Sequence, residues 1–130
     1  MRRATSADHG VLATLNHSGT ADLVPACFAV LGDSVAVPVD SVKPKRSTAL
    51  GRIRNLERDP RATLLVEQWD PADWSRLWWV RLSLVRRDAP SAVAAALEQG
   101  LRDRYPQYAA GSFVALLTFE IESVVGWSAA

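Results

Sequence analysis

The chain has a single cysteine, Cys27, among its 130 residues. That excludes an internal disulfide framework and a thiolate-rich zinc site. It has two histidines, His9 and His17, and its acidic residues are scattered, so no cluster has metal-ligand spacing. No metal site is expected. No apolar run approaches the length of a membrane span, and the start Met1-Arg2-Arg3-Ala4-Thr5-Ser6 lacks the apolar stretch of a signal peptide. The expectation is a cytoplasmic protein that does not enter membranes. There is no Gly-x-Ser-x-Gly elbow, no Gly-x-Gly-x-x-Gly turn and no P-loop. Cys27 sits in an apolar strand and reads as core rather than nucleophile. No dedicated catalytic residue is expected.

What is present is globular. Hydrophobic residues are 48% and charged residues 22%, enough apolar surface for a core at this length. The net charge is only +1, but it is unevenly placed. Between residues 43 and 61 stand Lys43, Lys45, Arg46, Arg52, Arg54, Arg58 and Arg61 against Glu57 and Asp59, a window of +5. The rest of the chain is −4. A basic window on an acidic body suggests a focused anion site rather than a polyanion binder, so no nucleic-acid partner is expected.

The hydrophobic pattern is mostly of period two. Gly10 to Asn16 reads as a strand, His17-Ser18-Gly19 as a turn with glycine free for positive φ, and Thr20 to Leu31 as a second strand. Pro25 cannot donate to a ladder, which places that strand at an edge or a bulge. Val35, Val37 and Val39 share one face of the next strand. Lys45 to Asp59 reads as a helix with a stripe of Ala49, Leu50, Ile53 and Leu56, ended by Pro60. Arg61 to Gln68 is a strand, Trp69 to Ser75 a turn, and Leu77 to Arg86 a strand with Trp78, Val80, Leu82 and Leu84 on one face. Pro90 to Arg104 is a second helix. Phe113 to Ile121 is a strand, and Val124 to Trp127 one more. About seven strands and two helices result. The first strands are joined by turns too short for a parallel crossover. The fold expected is mainly β with α, an antiparallel barrel or strongly curved sheet with helices at its ends. Residues 1–9 are a short extension and 10–130 a single domain.

Two features carry chemistry. Asp40 to Ser47 joins a strand to a helix, where unpaired N–H groups, the helix dipole, Lys43, Lys45, Arg46 and Ser47 converge. A phosphate is the natural ligand for such a place, and a solvated basic helix start is the bland alternative. The second feature is tryptophan: Trp69, Trp74, Trp78 and Trp79 lie within eleven residues. Trp78 and Trp79 point to opposite faces, so one packs inside and the other meets a partner chain or a flat ligand, with Arg81 beside it.

These residues together resemble the flavin-binding split-barrel superfamily related to pyridoxamine 5′-phosphate oxidase, and within it the deazaflavin (coenzyme F-420)-dependent branch. The resemblance runs from Gly10 to Trp127. It rests on Gly10-Val11-Leu12-Ala13-Thr14-Leu15, Leu23 to Phe28, Val39-Asp40 with Lys43-Pro44-Lys45-Arg46, Arg54-Asn55-Leu56 through Arg61, Asp73 to Arg81, and Gly126-Trp127. It implies a split β-barrel and a homodimer with cofactor sites between subunits. The phosphate would be held by Lys43, Lys45, Arg46 and Ser47, with Arg52 further along. The ring would lie along Val24, Pro25 and Ala26, approached by the strand of Trp78 and Arg81. The implied activity is that of an oxidoreductase: hydride transfer from the deazaflavin to a small electron-poor acceptor such as an enone or a quinone, with FMN as the alternative cofactor. A non-catalytic flavin or haem carrier is the alternative of another class. Relatives usually begin with an N-terminal helix, for which only nine residues precede Gly10 here.

Overall fold

The computed structural model of the chain describes residues 2–40, 46–108 and 113–129. Lys43 and Lys45 lie outside the described residues. A short helix, α1 (Arg2–Ser6), leads into β1 (Gly10–Leu15), β2 (Ala21–Ala26), β3 (Ala29–Leu31) and β4 (Ser34–Asp40). Helix α2 (Arg46–Arg58), β5 (Arg61–Gln68), β6 (Trp78–Arg86), α3 (Ser91–Arg104) and β7 (Phe113–Ser128) complete the chain. The seven strands form one antiparallel sheet in the order β2-β1-β5-β6-β7-β4-β3. It curls into a half-barrel, so the fold is the split-barrel type expected.

Period two decides what lies inside the curl. Leu12 on β1, Leu64 and Val66 on β5, Leu82 and Leu84 on β6, and Val35 and Val37 on β4 are buried together with Phe119 of β7. Trp78 and Val80 continue the same inward row of β6. Leu56 brings α2 onto this inner core, and Ala4 brings α1. The extension before Gly10 therefore contributes a turn of helix to the barrel. Helix α3 takes the other side: Leu97 and Leu101 pack with Ala29 and Ala36 on the convex face of β3 and β4.

Two strand boundaries differ from the sequence reading. The stretch from Thr20 to Leu31 is two strands, because the chain leaves one edge of the sheet after Ala26 and joins the opposite edge at Ala29. Phe28 is fully buried at the crossing. The Tyr105 hydroxyl receives a bond from the Phe28 N–H (3.3 Å) and donates to its carbonyl (3.4 Å), so the end of α3 satisfies a backbone that no strand pairs. Conversely, Phe113 to Ser128 is one continuous strand. A register shift opposite Ser83/Leu84 absorbs an extra residue near Glu122 and reverses which residues of β7 face inward. The edge position expected from Pro25 is found, since β2 ends the sheet. Gly19 takes a φ of 80° and Gly32 one of 59°, each in the hairpin turn that needs it.

Tyr105→Phe tests the crossing. Loss of the hydroxyl leaves the Phe28 N–H unpaired and its carbonyl with the Arg104 guanidinium alone (3.4 Å), and is expected to lower stability by about 1–3 kcal/mol. Urea unfolding with an unchanged m-value reads this as a shift in midpoint.

Candidate functional site

At one end of the half-barrel the inward row changes from apolar to polar. Asp22, Thr14, Ala62 and Leu84 are neighbours across β2, β1, β5 and β6. Thr14 and Asn55 of α2 are both buried. The Asn55 amide donates to Thr14 Oγ1 (3.0 Å) and to Asp22 Oδ2 (2.9 Å). Its carbonyl oxygen accepts from the Arg58 guanidinium (3.1 Å), which also reaches the Leu15 carbonyl (3.3 Å). Asn16 closes the set with a 2.9 Å bond to Asp22 Oδ1. The hydrogen bonds from Asn16 and Asn55, with the Arg58 charge nearby, hold the Asp22 pKa below its ordinary 3.8.

This network sets the position of α2, and α2 sets the position of Arg52, one turn earlier on the helix. Arg52 and Gly51 face Thr14, Asp22, Leu23 and Val24 across a cleft of about 410 Å³. Burial lowers the Arg52 pKa from 12.5, yet a guanidinium stays charged at any physiological pH. Its Nε is buried and has no hydrogen-bond partner among the described residues. A cation with an unused donor thus lies beside a strand edge that carries Leu23 and Val24 as well as Asp22. Such a cleft suits a ligand with an anionic end and a flat apolar part.

The ten residues expected to hold a cofactor fall in different places. Val24 and Arg52 line the same cleft. Arg46 and Ser47 form the first turn of α2. Pro25 and Ala26 do not share a face: Ala26 is buried in the inner core, whereas Pro25 is exposed on the convex side. Trp78 is an inner core residue, and its Nε1 donates to Gln68 Oε1 (3.0 Å). Arg81 is exposed on the convex face, its guanidinium 5.4 Å from the Trp79 ring centre. Strands β1 and β5 separate β6 from β2, so one chain does not bring Trp78 or Arg81 to the cleft.

A second hollow, about 360 Å³, lies at the opposite end between Arg3, Trp79 and Trp127. His9 and His17 are exposed, and no group of three metal-ligating side chains occurs among the described residues. Cys27 is a half-buried free thiol in the link from β2 to β3. Sequence reasoning missed Asn55, Thr14 and Asp22. A polar residue beside the apolar stripe of α2 was the available signal, but its partners lie about forty positions away on β1 and thirty on β2.

No protein-family model and no curated protein matches the chain. Solved structures do match its fold. An FMN-binding protein from Syntrophomonas wolfei superposes with a TM-score of 0.69 at 13% identity, over 98% of this chain and 85% of its own. HutZ, the heme storage protein from Vibrio cholerae, gives 0.67 at 13% identity, over 95% and 89%. An F420 reductase gives 0.61 at 18% identity, over 95% and 94%. The chain is thus similar in fold to split-barrel proteins that differ in what they bind.

Asn55→Ala tests the network. It leaves the buried Thr14 hydroxyl and one Asp22 oxygen without their partner, an expected loss of about 1–3 kcal/mol in urea unfolding. It also acts on the acid limb. Because the folded pKa of Asp22 is depressed, its contribution is present above about pH 4 and is lost as pH falls through the folded value. Removing the Asn55 bond raises that value, so the acid-unfolding midpoint of the variant is expected to move to higher pH.

Proposed function

We propose that the cleft between β2 and α2 binds the phosphate and adjoining ring of a flavin-type cofactor, and that the protein is an oxidoreductase. The observation that carries this reading is Arg52: a charged side chain with a buried, unused donor, facing Val24 across an open cleft. Two further facts support it. The basic window of the sequence surrounds this helix, and the fold is shared with an FMN-binding protein and an F420 reductase. Lys43, Lys45, Arg46 and Ser47, just before Arg52 in the chain, would extend the phosphate site at the start of α2.

A deazaflavin (coenzyme F-420) is the cofactor we favour, with FMN second. Either fits the same chemistry, a phosphate joined to a flat ring, and the resemblance of the sequence to the deazaflavin-dependent branch decides the order. When bound and reduced, such a group supplies a hydride to an electron-poor acceptor, for which a small enone or quinone is the class of substrate. The chain's own part is to hold the anionic end with Arg52, to seat the ring against the β2 edge and to keep water from it. The acting unit we propose is a homodimer. The convex face left open by α3 carries Leu23 (68% exposed) and Trp127 (50% exposed), surface that a lone chain leaves in water.

The haem-carrier alternative rests on the fold shared with the heme storage protein from Vibrio cholerae. The two histidines available as iron ligands, His9 and His17, are both exposed and outside the strands. A Soret band retained through purification would favour that reading.

Side-by-side titration with FMN and the deazaflavin coenzyme, followed by tryptophan and cofactor fluorescence, is the test. Tighter deazaflavin binding is expected. Arg52→Ala is expected to raise Kd at least tenfold, the value of one charge-assisted bond of about 1.5–3 kcal/mol. Lys45→Ala/Arg46→Ala is expected to weaken binding while leaving the melting temperature unchanged. Wild-type protein that binds neither cofactor would contradict the proposal.

A further inference from the structure

Two strand glycines are explained by the chain's own packing. A Cβ on Gly10 would come within 2.9 Å of the Leu65 carbonyl oxygen, and one on Gly126 within 3.3 Å of the Trp79 carbonyl oxygen. Main chain crowds both positions against a side chain. Gly51 has no such cause. It lies in the interior of α2 (Arg46–Arg58), and its φ is outside the left-handed region. A Cβ there meets nothing within 4 Å among the described residues. Glycine is the poorest helix former after proline, so alanine would fit this position and give a firmer helix.

The open space beside Gly51 belongs to the cleft of about 410 Å³. Gly51 and Arg52 form its α2 wall, and Thr14, Asp22, Leu23 and Val24 stand on the wall across from it. The α2 wall therefore has two unlike parts. At Arg52 it carries a cation whose buried Nε has no partner among the described residues. At Gly51 it is bare main chain, from which no side chain projects. A side chain at position 51 would narrow the space between α2 and the β2 edge. Bare main chain facing an aliphatic residue makes a slot, and a slot admits a thin planar ring where a branched group of the same volume clashes.

We propose that Gly51 is a specificity-determining residue that selects the cleft's ligand by shape. A planar ring lies flat against the α2 main chain at Gly51 with Val24 on its other face, while the neighbouring Arg52 holds the anionic end. The inference rests on the cofactor reading of the cleft and divides recognition between two adjacent residues. Arg52 reads charge and Gly51 reads thickness. The helix is left weaker than alanine would make it, and in exchange the ring comes closer than any side chain at position 51 allows.

Stability and binding are expected to move in opposite directions. Gly51→Ala should shift the urea midpoint of the free protein upward, and raise Kd for FMN and for the deazaflavin coenzyme about tenfold or more. Gly100→Ala is the control. Gly100 lies inside α3, where an added Cβ makes an ordinary 3.7 Å contact with Ala29 Cβ. Its variant should also raise the midpoint, but leave Kd unchanged. Riboflavin, the ring without the phosphate, separates the two neighbours. Gly51→Ala should weaken FMN and riboflavin by the same factor, and Arg52→Ala should weaken FMN alone. Flavin fluorescence follows each titration. An unchanged Kd in Gly51→Ala overturns the proposal, and the cofactor reading still stands if Arg52→Ala weakens FMN in the same series. A lower urea midpoint in Gly51→Ala overturns it by making the glycine structural. A loss confined to FMN overturns it by placing position 51 at the phosphate, and an equal loss in Gly100→Ala overturns it as an effect of helix stiffness. Wild-type protein that binds neither cofactor contradicts the cofactor reading itself and this inference with it.

Discussion

Everything at the open end of the half-barrel depends on how Asn55 is held. A half-barrel leaves one mouth of its core uncovered, and α2 covers it with Leu56 on the apolar side and Asn55 on the polar side. A buried amide tolerates little error, because an unpaired polar group there costs about as much as a lost hydrogen bond. Thr14, Asp22 and Arg58 each satisfy one of its positions, and in doing so they fix both the height and the rotation of the helix. Arg52 faces the β2 edge only because Asn55 faces inward.

The placement of charge follows from the same constraint. Arg54, Arg58 and Arg61 of the window are exposed, where they shape a field without holding a ligand strongly. Arg52 is different. Partial burial lowers its pKa, and its Nε has no partner among the described residues. Asp22, in the same cleft, is kept ionised by Asn16 and Asn55, and both of its oxygens are already engaged by those bonds.

The alternating rows of the sheet were legible from residue pattern alone. Val35, Val37 and Val39, and Trp78, Val80, Leu82 and Leu84, point inward as period two requires. Pro25 marked an edge and Gly19 a turn, each through backbone chemistry of its own residue. What the pattern concealed was pairing. The break at Cys27–Phe28 lies within an apolar run, and the Tyr105 hydroxyl that pairs its backbone comes from the residue after α3, 77 positions later. The continuity of β7 is hidden by polar Glu122 and Ser123, which look like a strand end until β6 is set beside them. At the site, Arg52 and Val24 were legible as candidates, whereas the network that positions them was not. Trp78 was marked by its type and neighbours, but burial and its bond to Gln68 make it part of the core.

The central claim is that the anionic end of the ligand does the binding, through the unused donor of Arg52. The direct measurement compares FMN with riboflavin, which shares the ring and lacks the phosphate, across a range of ionic strength. The account predicts that FMN binds at least tenfold more tightly at low salt, and that salt weakens FMN much more than riboflavin. Equal affinity for the two, or a preference for FMN that Arg52→Ala leaves intact, would contradict it.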